Sequence, residues 1–478
     1  MLFNSIDFAI FLPIIFVLYW FVTNKNLKLQ NFLIVSASYL FYGWWDWRFL
    51  SLILFSTIVD YSIGILLSKE NKKKNRLILL WVSILINLGF LGFFKYYNFF
   101  LDNFSTAFTF FGADIKTDSL NIILPVGISF YTFQTLSYTI DVYKRKLEPT
   151  KDFIAFSAFV SFFPQLVAGP IEKATNLLPQ FYKKRTFESE KAIDGIHLIL
   201  WGLFKKIVIA DSCAIYVNEI FSNYESMNSL SLLLGAIYFA FQIYGDFSGY
   251  SDIAIGTSKL FGIDLMRNFA FPYFSRDIAE FWRRWHISLS TWFRDYLYIP
   301  LGGSKVSKLL SFRNIFIIFI VSGFWHGANW TFIIWGCLNA IYFIPLFLTK
   351  RNRNNLNIVS QGKIFPSFHE LISMLTTFVL VSIGWIFFRA DAISIAINYI
   401  KKLFSFNFDN GLQYLSIERY APELMLLISC FILVEWHSRA QEHPFFGTWR
   451  NFKLISALVG LITLGVYSNV TDFIYFQF

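Results

Sequence analysis

Two histidines in apolar, aromatic surroundings are the residues of this chain best placed to do chemistry. His326 lies in the segment 323–330, between the apolar runs 315–321 and 332–335, and His286 ends an upstream stretch Phe-Trp-Arg-Arg-Trp-His. An ionisable ring inside a membrane segment costs free energy unless it has partners or a function. A neutral imidazole accepts a proton near physiological pH, and burial keeps the ring neutral, which suits a general base. The pair therefore predicts a site for chemistry inside the bilayer.

Both histidines also have a structural interpretation. His326 could join two transmembrane helices through a hydrogen bond, and His286 could belong to an aromatic and basic belt at the membrane interface. A metal site is disfavoured because neither residue has a second histidine or a carboxylate three or four positions further along the chain. A serine hydrolase is disfavoured because the sequence lacks a Gly-x-Ser-x-Gly elbow.

A polar segment interrupts another apolar stretch at residues 245–252. It carries the carboxylates Asp246 and Asp252 together with the hydroxyl of Ser248. Carboxylates at membrane depth need partners. The segment therefore either lines a buried tunnel, or forms a helix kink in which Asp246 and Asp252 pair with nearby Arg or Lys.

Basic side chains flank His286. They could hold the phosphates of a nucleotide-like cofactor from the cytoplasm, or they could contact lipid headgroups. The residues are Arg276, Arg283, Arg284, Arg294, Lys305 and Arg313.

Composition identifies the class of protein that must position these residues. The 478 residues are 56% hydrophobic and only 15% charged, whereas soluble proteins carry about 25% charge. Apolar runs reach the length of about 18 residues or more that crosses a bilayer. The net charge of +10 resides in short loops, so it indicates topology and contact with anionic membrane lipid rather than nucleic-acid binding. No long polar stretch is present to form a soluble domain, which predicts one membrane domain over residues 1–478.

The chain is predicted to be an all-α polytopic bundle of about eleven to twelve spanning helices. Two stretches, about 152–170 and 272–300, are broken by Pro, Gly and charge and predict re-entrant or interfacial helices. The spanning helices are predicted at about 5–23, 31–46, 48–67, 77–99, 120–141, 192–220, 230–260, 313–326, 328–348, 367–388, 420–438 and 453–471. Basic loops such as 69–76 and 183–185 are placed in the cytoplasm by the positive-inside rule, which puts the N-terminus outside.

Several longer motifs resemble the membrane-bound O-acyltransferase family, and most closely its bacterial polysaccharide branch of alginate and peptidoglycan O-acetylation proteins. The likeness covers almost the whole chain and is densest from about 40 to 345. The motifs occupy residues 42–46, 125–134, 163–171, 244–252, 281–300 with 301–303, and 323–330.

The resemblance implies the roles of several residues. His326 would be the catalytic histidine and His286 the second active-site position, within a helical bundle that contains a central tunnel. The expected donor-binding residues are Arg283, Arg284, Arg294 and Trp285. The residues expected to line the tunnel are Asp246, Ser248, Asp252, Trp325, Asn329, Trp330 and Asn339. No metal is expected. In the mechanism we expect, His326 deprotonates a hydroxyl, and His286 hydrogen-bonds the thioester carbonyl or orients the donor.

The expected function is transfer of an acyl group, most simply acetyl, from a cytoplasmic thioester such as acetyl-CoA. The acceptor would be a hydroxyl of an extracytoplasmic polysaccharide resembling alginate or peptidoglycan, reached directly or through a periplasmic SGNH-type O-acetyltransferase partner. The location would be the bacterial cytoplasmic (inner) membrane.

Three alternatives remain open. They are D-alanyl transfer from a carrier protein to a teichoic-acid-type polymer, a transporter or flippase for a polysaccharide or lipid-linked intermediate, and a scaffold subunit. A transporter predicts corresponding halves with broken helices, and the sequence shows no internal repeat. A scaffold predicts that both histidines tolerate apolar replacement.

Overall fold

A computed structural model describes residues 1–112, 119–167, 169–409, 412, 421–468 and 473–474. Across these residues the regular secondary structure is helical, which confirms the predicted all-α class. The α-helices are α1 (Ile6–Val17), α2 (Leu27–Asp46), α3 (Leu50–Lys69), α4 (Lys73–Leu91), α5 (Tyr97–Phe110), α6 (Ile128–Tyr143), α7 (Phe153–Ser161), α8 (Phe163–Leu166), α9 (Ala174–Leu177), α10 (Ser189–Leu203), α11 (Asp211–Ser222), α12 (Ser229–Leu260), α13 (Ile278–Arg284), α14 (Ile287–Phe293), α15 (Lys308–His326), α16 (Trp330–Leu348), α17 (Phe368–Arg389), α18 (Ile393–Leu403), α19 (Ala421–Ser438) and α20 (Arg450–Leu464). Short π- or 3₁₀-helical segments lie at Leu18–Val22, Trp47–Phe49, Gly92–Tyr96, Leu178–Tyr182, Phe204–Ala210, Pro272–Phe274 and Arg294–Tyr298.

Among the described residues, six helical stretches are long and apolar enough to cross a membrane. They are Leu27–Lys69, Lys73–Phe110, Ser229–Leu260, Lys308–His326, Trp330–Leu348 and Phe368–Arg389. The protein is therefore a multi-pass membrane protein, as the composition predicts.

The number six is lower than the predicted eleven to twelve crossings. The stretch Leu27–Lys69 contains two of the predicted helices, which the extended backbone of Asp46 (φ −159°, ψ 110°) separates. The helix predicted at 192–220 is continuous from Ser189 to Ser222 through the π-helical segment Phe204–Ala210. It is not among the six apolar stretches because it carries charged residues, among them Lys205, Lys206 and Asp211.

The described residues form two compact units. The first comprises Met1–Ile196 and Ala254–Met266. In it α3 packs against α4 and α6, and buried Asp60 accepts hydrogen bonds from Ser83 (2.5 Å), Asn87 (2.9 Å) and Thr139 (3.1 Å). Polar bonds of this kind join apolar helices that have no hydrophobic reason to associate in lipid.

The second unit comprises His197–Ile253 and Arg267–Phe478 and contains both candidate histidines. In it α15 and α16 pack against each other as a hairpin. A Cβ atom added at Gly323 would overlap the carbonyl oxygen of Phe332, and one at Gly336 would overlap that of Phe319. Small residues therefore let the two backbones touch, and this packing fixes the C-terminal end of α15, where His326 lies. A single domain over the whole chain stays a prediction, as does the central tunnel.

Helices α6 and α18 are examples of elements that differ from the sequence-based expectation. Helix α6 begins at Ile128 rather than near residue 120, because Pro125 and the left-handed Gly127 (φ 75°) precede it. Helix α18 was not predicted. It has 11 residues and buries only Ala396 and Tyr399, which is too short for a search based on spanning length.

Candidate active site

His286 joins α13 to α14 in a backbone conformation that non-glycine residues rarely adopt. Its φ and ψ are 42° and 56°, in the left-handed region. The residue is 1% exposed, and the backbone N–H of Ile287 beside it donates to the carbonyl of Asn268 at 2.9 Å. Strained backbone of this type persists only where the surroundings enforce it, and it clusters at functional sites.

Asn268 determines which nitrogen of His286 carries the proton. The Asn268 side-chain oxygen Oδ1 accepts from the backbone N–H of Ser288 (3.3 Å) and from its hydroxyl (2.9 Å). A backbone N–H can only donate, so this atom is the amide oxygen. The amide nitrogen of Asn268 donates to Ser251 Oγ at 3.0 Å, which agrees with that orientation. His286 Nδ1 lies 3.1 Å from the same oxygen, so the hydrogen-bond network assigns the proton to Nδ1.

The other ring nitrogen of His286 is left as a proton acceptor. Nε2 is buried and has no hydrogen-bond partner among the described residues. His286 lies outside the six candidate spans, and burial lowers its pKa to about 3 because desolvation penalises the charged ring. The ring is therefore neutral near pH 7, with a lone pair on Nε2.

His326 occupies the last position of α15. It lies about 27 Å along the helix axis from Lys308, and this helix begins five residues before the predicted start at Arg313. The ring is 2% exposed. Aromatic rings surround it, with centroid distances of 4.9 Å to Trp325, 5.2 Å to Trp335 and 5.3 Å to Phe388.

The structure brings the two histidines together. Their ring centroids are 6.5 Å apart and their planes are inclined by 59°. Trp325 lies beside both, 5.9 Å from the His286 ring, and Phe247 approaches His286 edge-on at 4.6 Å. The separation is too large for a direct hydrogen bond between ring nitrogens, so the two rings are neighbours that do not bond to each other.

The carboxylates of the 245–252 segment are paired with lysines. Asp246 and Asp252 lie 2.8 Å from Lys206 Nζ and 2.7 Å from Lys205 Nζ respectively, and Ser248 accepts from Lys205 at 2.9 Å. These contacts match the ion-pair alternative. The segment does not interrupt the secondary structure, because α12 continues through it from Ser229 to Leu260.

Sequence reasoning missed the two lysines. Lys206 is fully buried and also contacts Asp211 at 2.8 Å. The signal was available, since consecutive lysines inside the apolar stretch 198–210 are expensive without partners. Asn268 was missed as well. Nothing in its local sequence marks it, because its role depends on contacts made with residues 286–288.

Comparison with known proteins identifies the family. A family model described as "MBOAT, membrane-bound O-acyltransferase family" matches residues 144–367. The chain is 40% identical over 412 residues to a "probable alginate O-acetylase AlgI" of Pseudomonas syringae, covering 85% of this chain and 76% of that protein. It is 34% identical over 454 residues to a "peptidoglycan O-acetyltransferase" of Helicobacter pylori, covering 89% and 83%. The chain belongs to the membrane-bound O-acyltransferase family. A "teichoic acid D-alanyltransferase" of Bacillus subtilis is 28% identical over 283 residues, covering 56% of this chain and 69% of that protein.

In this membrane-bound O-acyltransferase the arginines expected to bind the donor have other partners. Arg283 donates to the carbonyls of Asn352 and Asn355, both at 2.8 Å. Arg284 pairs with buried Glu280 at 2.8 Å. These two arginines therefore organise the loop after α16 and the helix α13.

The remaining donor candidates differ in exposure. The side chain of Arg294 is 60% exposed and contacts Asp295 at 2.7 Å. Trp285 is 1% exposed and packs against Trp385 with ring centroids 4.9 Å apart. Arg294 is thus the accessible cation of the predicted set, whereas Trp285 is part of the aromatic packing behind His286.

The polar residues near His326 connect α16 to other parts of the second unit. Asn329 caps α16 by accepting from the N–H of Thr331 at 3.0 Å, and its amide donates to the carbonyl of Asp391 at 2.9 Å. Asn339 accepts from the indole of Trp282 at 3.3 Å. Trp330 is 51% exposed. Within the described ranges no group of three or more His, Cys, Asp or Glu is arranged to hold a metal ion.

Proposed function

We propose that this protein transfers an acetyl group from a cytoplasmic thioester, acetyl-CoA, to a hydroxyl of an extracytoplasmic polysaccharide of the alginate or peptidoglycan type. The observation that carries the proposal is the buried pair of His286 and His326, 6.5 Å apart, in a chain similar to alginate and peptidoglycan O-acetyltransferases. Aromatic rings around the pair exclude bulk water, which protects a thioester from hydrolysis.

In the proposed reaction His326 is the general base. It takes the proton of the acceptor hydroxyl while the hydroxyl oxygen attacks the thioester carbonyl. The carbon–sulfur bond then breaks, and the thiolate recovers the proton from the imidazolium of His326. Atoms and charge balance without a further reactant.

The proposed role of His286 follows from its tautomer. A neutral ring with its proton on Nδ1 has no N–H at Nε2, so it does not donate to the thioester carbonyl as the sequence-based mechanism allowed. We assign it the other expected role, orientation of a substrate, with Nε2 accepting a hydrogen bond from an N–H or O–H group. Supporting evidence is the absence of a bond to Nε2 among the described residues.

The proposed topology places the N-terminus outside the bacterial cytoplasmic membrane and the basic loops inside it. The donor would enter from the cytoplasm and the acceptor from the opposite face, through a tunnel lined by Trp325, Asn329, Asn339 and neighbouring residues. A periplasmic SGNH-type O-acetyltransferase would complete a relay to the polymer.

The decisive experiment is reconstitution in vesicles with labelled acetyl-CoA and a trapping polysaccharide. His326→Ala should reduce transfer by about 10²–10⁴-fold without loss of folded protein. The matched control is His369→Ala, because His369 is exposed at the start of α17. Wild-type transfer by His326→Ala would refute the assignment of the base.

D-alanyl transfer is the second candidate, since the chain also resembles a teichoic acid D-alanyltransferase. The same vesicles supplied with a D-alanyl carrier protein separate the two, because only the correct thioester is consumed. A transporter would move polysaccharide across the bilayer without consuming either thioester.

A further inference from the structure

A cavity in the first unit combines basic and aromatic side chains. Its volume is about 410 Å³. Lys25, Lys184 and Arg185 line it, and none of its lining residues is acidic. Three cations without a carboxylate among them make an electropositive concavity, which attracts anions.

Arg185 is one of the residues that line this cavity, and its charge has no carboxylate partner among the described residues. The residue is 7% exposed. Its guanidinium donates to Gln30 Oε1 at 3.1 Å and to Asn31 Oδ1 at 2.5 Å. Nη1 is buried without a hydrogen-bond partner, and no ion pair to Arg185 occurs among the described residues. Desolvation lowers the pKa of Arg185 below its ordinary value. A buried cation in this situation gains stability from any anion that approaches it.

The walls of the cavity are aromatic. The rings of Trp20 and Phe187 meet at a centroid distance of 5.5 Å, and Phe16 lies 6.0 Å from Phe187. Phe21, which also lines the cavity, is 75% exposed. A ligand that fits here must carry an anionic group that meets the three cations and an apolar part that packs against the aromatic walls.

The helix that supplies these walls presents a broad apolar surface. On α1 and the π-helical turn after it, Ile10, Ile14 and Val22 are 58%, 53% and 62% exposed. In a membrane protein such a surface contacts acyl chains. The cavity lies at the end of this surface, beside Lys25, where the predicted topology puts the cytoplasmic, anionic leaflet.

We propose that the cavity binds an anionic phospholipid. The phosphate occupies the space between Lys25, Lys184 and Arg185, and an acyl chain lies along the exposed face of α1. The combination of uncompensated positive charge with a lipid-facing wall favours a lipid over a freely soluble phosphate. The inference does not depend on the acyl-transfer reaction.

The test measures binding of phosphatidylglycerol to the full chain in detergent, by native mass spectrometry across a lipid titration. The double variant Lys25→Gln with Lys184→Gln should bind this lipid about 30-fold more weakly. Each of the two lysines is expected to raise the affinity for an anionic headgroup by a factor of about five to six. The matched control is Lys72→Gln with Lys74→Gln, two exposed lysines at the N-terminal end of α4. Both variants keep Arg185, so that a fault in folding does not obscure the result.

Three outcomes decide the proposal. Weaker phosphatidylglycerol binding by the cavity variant alone, with phosphatidylcholine binding unchanged in every protein, supports it. Equal phosphatidylglycerol affinity in both double variants overturns it. Displacement of the lipid by coenzyme A would also overturn it, because the cavity would then hold the phosphates of a nucleotide donor. The result is separate from the test of the proposed function, because a variant that loses acyl transfer, such as His326→Ala, should still bind the lipid.

Discussion

The side-chain oxygen of Asn268 lies 3.1 Å from Nδ1 of His286. That oxygen is already identified as an acceptor by the backbone N–H of Ser288. The contact therefore places the proton on Nδ1 and leaves the lone pair on Nε2, which has no hydrogen-bond partner among the described residues. An amide thus performs here the orienting role that a carboxylate has in a catalytic triad.

Replacement of Asn268 should affect the reaction through His286. Asn268→Leu removes the acceptor for Nδ1–H, so the ring is free to change tautomer and orientation, and acetyl transfer should fall about 100-fold. Asn268→Asp keeps an oxygen at the same place and should retain more activity than the leucine variant. The measurement is the transfer rate of each variant, with the ¹⁵N chemical shifts of the His286 ring as the report of its tautomer.

A purely structural role for Asn268 makes a different forecast. In that case both variants would lose folded protein in parallel with activity, and the ring nitrogens of His286 would keep their wild-type shifts in the molecules that remain folded.

Acid should destabilise the folded protein through His286. Its pKa is lowered from 6.5 to about 3 by burial, so between these values the unfolded chain binds a proton that the folded chain does not. Stability therefore rises with pH across this window and falls as pH drops below 6.5. At pH 5 the free energy of unfolding is about 2 kcal/mol lower than at neutral pH on this account. His286→Gln removes this contribution, so the difference in melting temperature between wild type and variant should shrink from pH 7.5 to pH 5.

The variant His369→Gln, at an exposed histidine, serves as the reference, because its melting temperature should keep the pH dependence of the wild type. A wild-type protein whose melting temperature follows the same pH dependence as His286→Gln would show that the ring titrates normally in the folded state.

The sequence predicted the helices that carry strong local signals. Helix α16 was expected at 328–348 and occupies Trp330–Leu348, because an apolar run follows Asn329, whose side chain caps the helix. Helix α12 was expected at 230–260 and occupies Ser229–Leu260. For such segments, apolar length and capping residues contain the necessary information.

Other features depend on contacts that the sequence does not display. The prediction left Asp246 open between a tunnel lining and an ion pair, since its partner Lys206 lies on a different element. Asn268 was not predicted as a partner of His286, because the left-handed turn at His286 creates the contact. The arginines next to His286 were expected to meet the donor, yet Arg283 binds loop carbonyls that follow α16. Proximity in the chain was a poor guide to these partners.

Removal of one buried charge should be more harmful than removal of an exposed one. Lys206→Met leaves Asp246 and Asp211 buried without their cation, which should cost about 3–5 kcal/mol of unfolding free energy. Lys69→Met, at an exposed position of α3, should change stability little. The combination Lys206→Met with Asp246→Asn should recover part of the loss. Thermal unfolding in detergent measures all three, and equal melting temperatures for the two single variants would contradict the buried ion pair.

A methyl group should have opposite effects at two helical glycines. A Cβ atom at Gly249 would lie 2.7 Å from the carbonyl oxygen of Gly202, whereas one at Gly89 would meet no atom within 4 Å. Backbone cannot yield as a flexible side chain does, so Gly249→Ala should destabilise the protein by about 1–3 kcal/mol. Gly89→Ala should be neutral or stabilising, since alanine is the better helix former by about 1 kcal/mol. A similar melting temperature for both variants would mean that the segments around Gly202 and Gly249 separate without cost in free energy. Close backbone packing would then not be what holds Lys205 and Lys206 against α12.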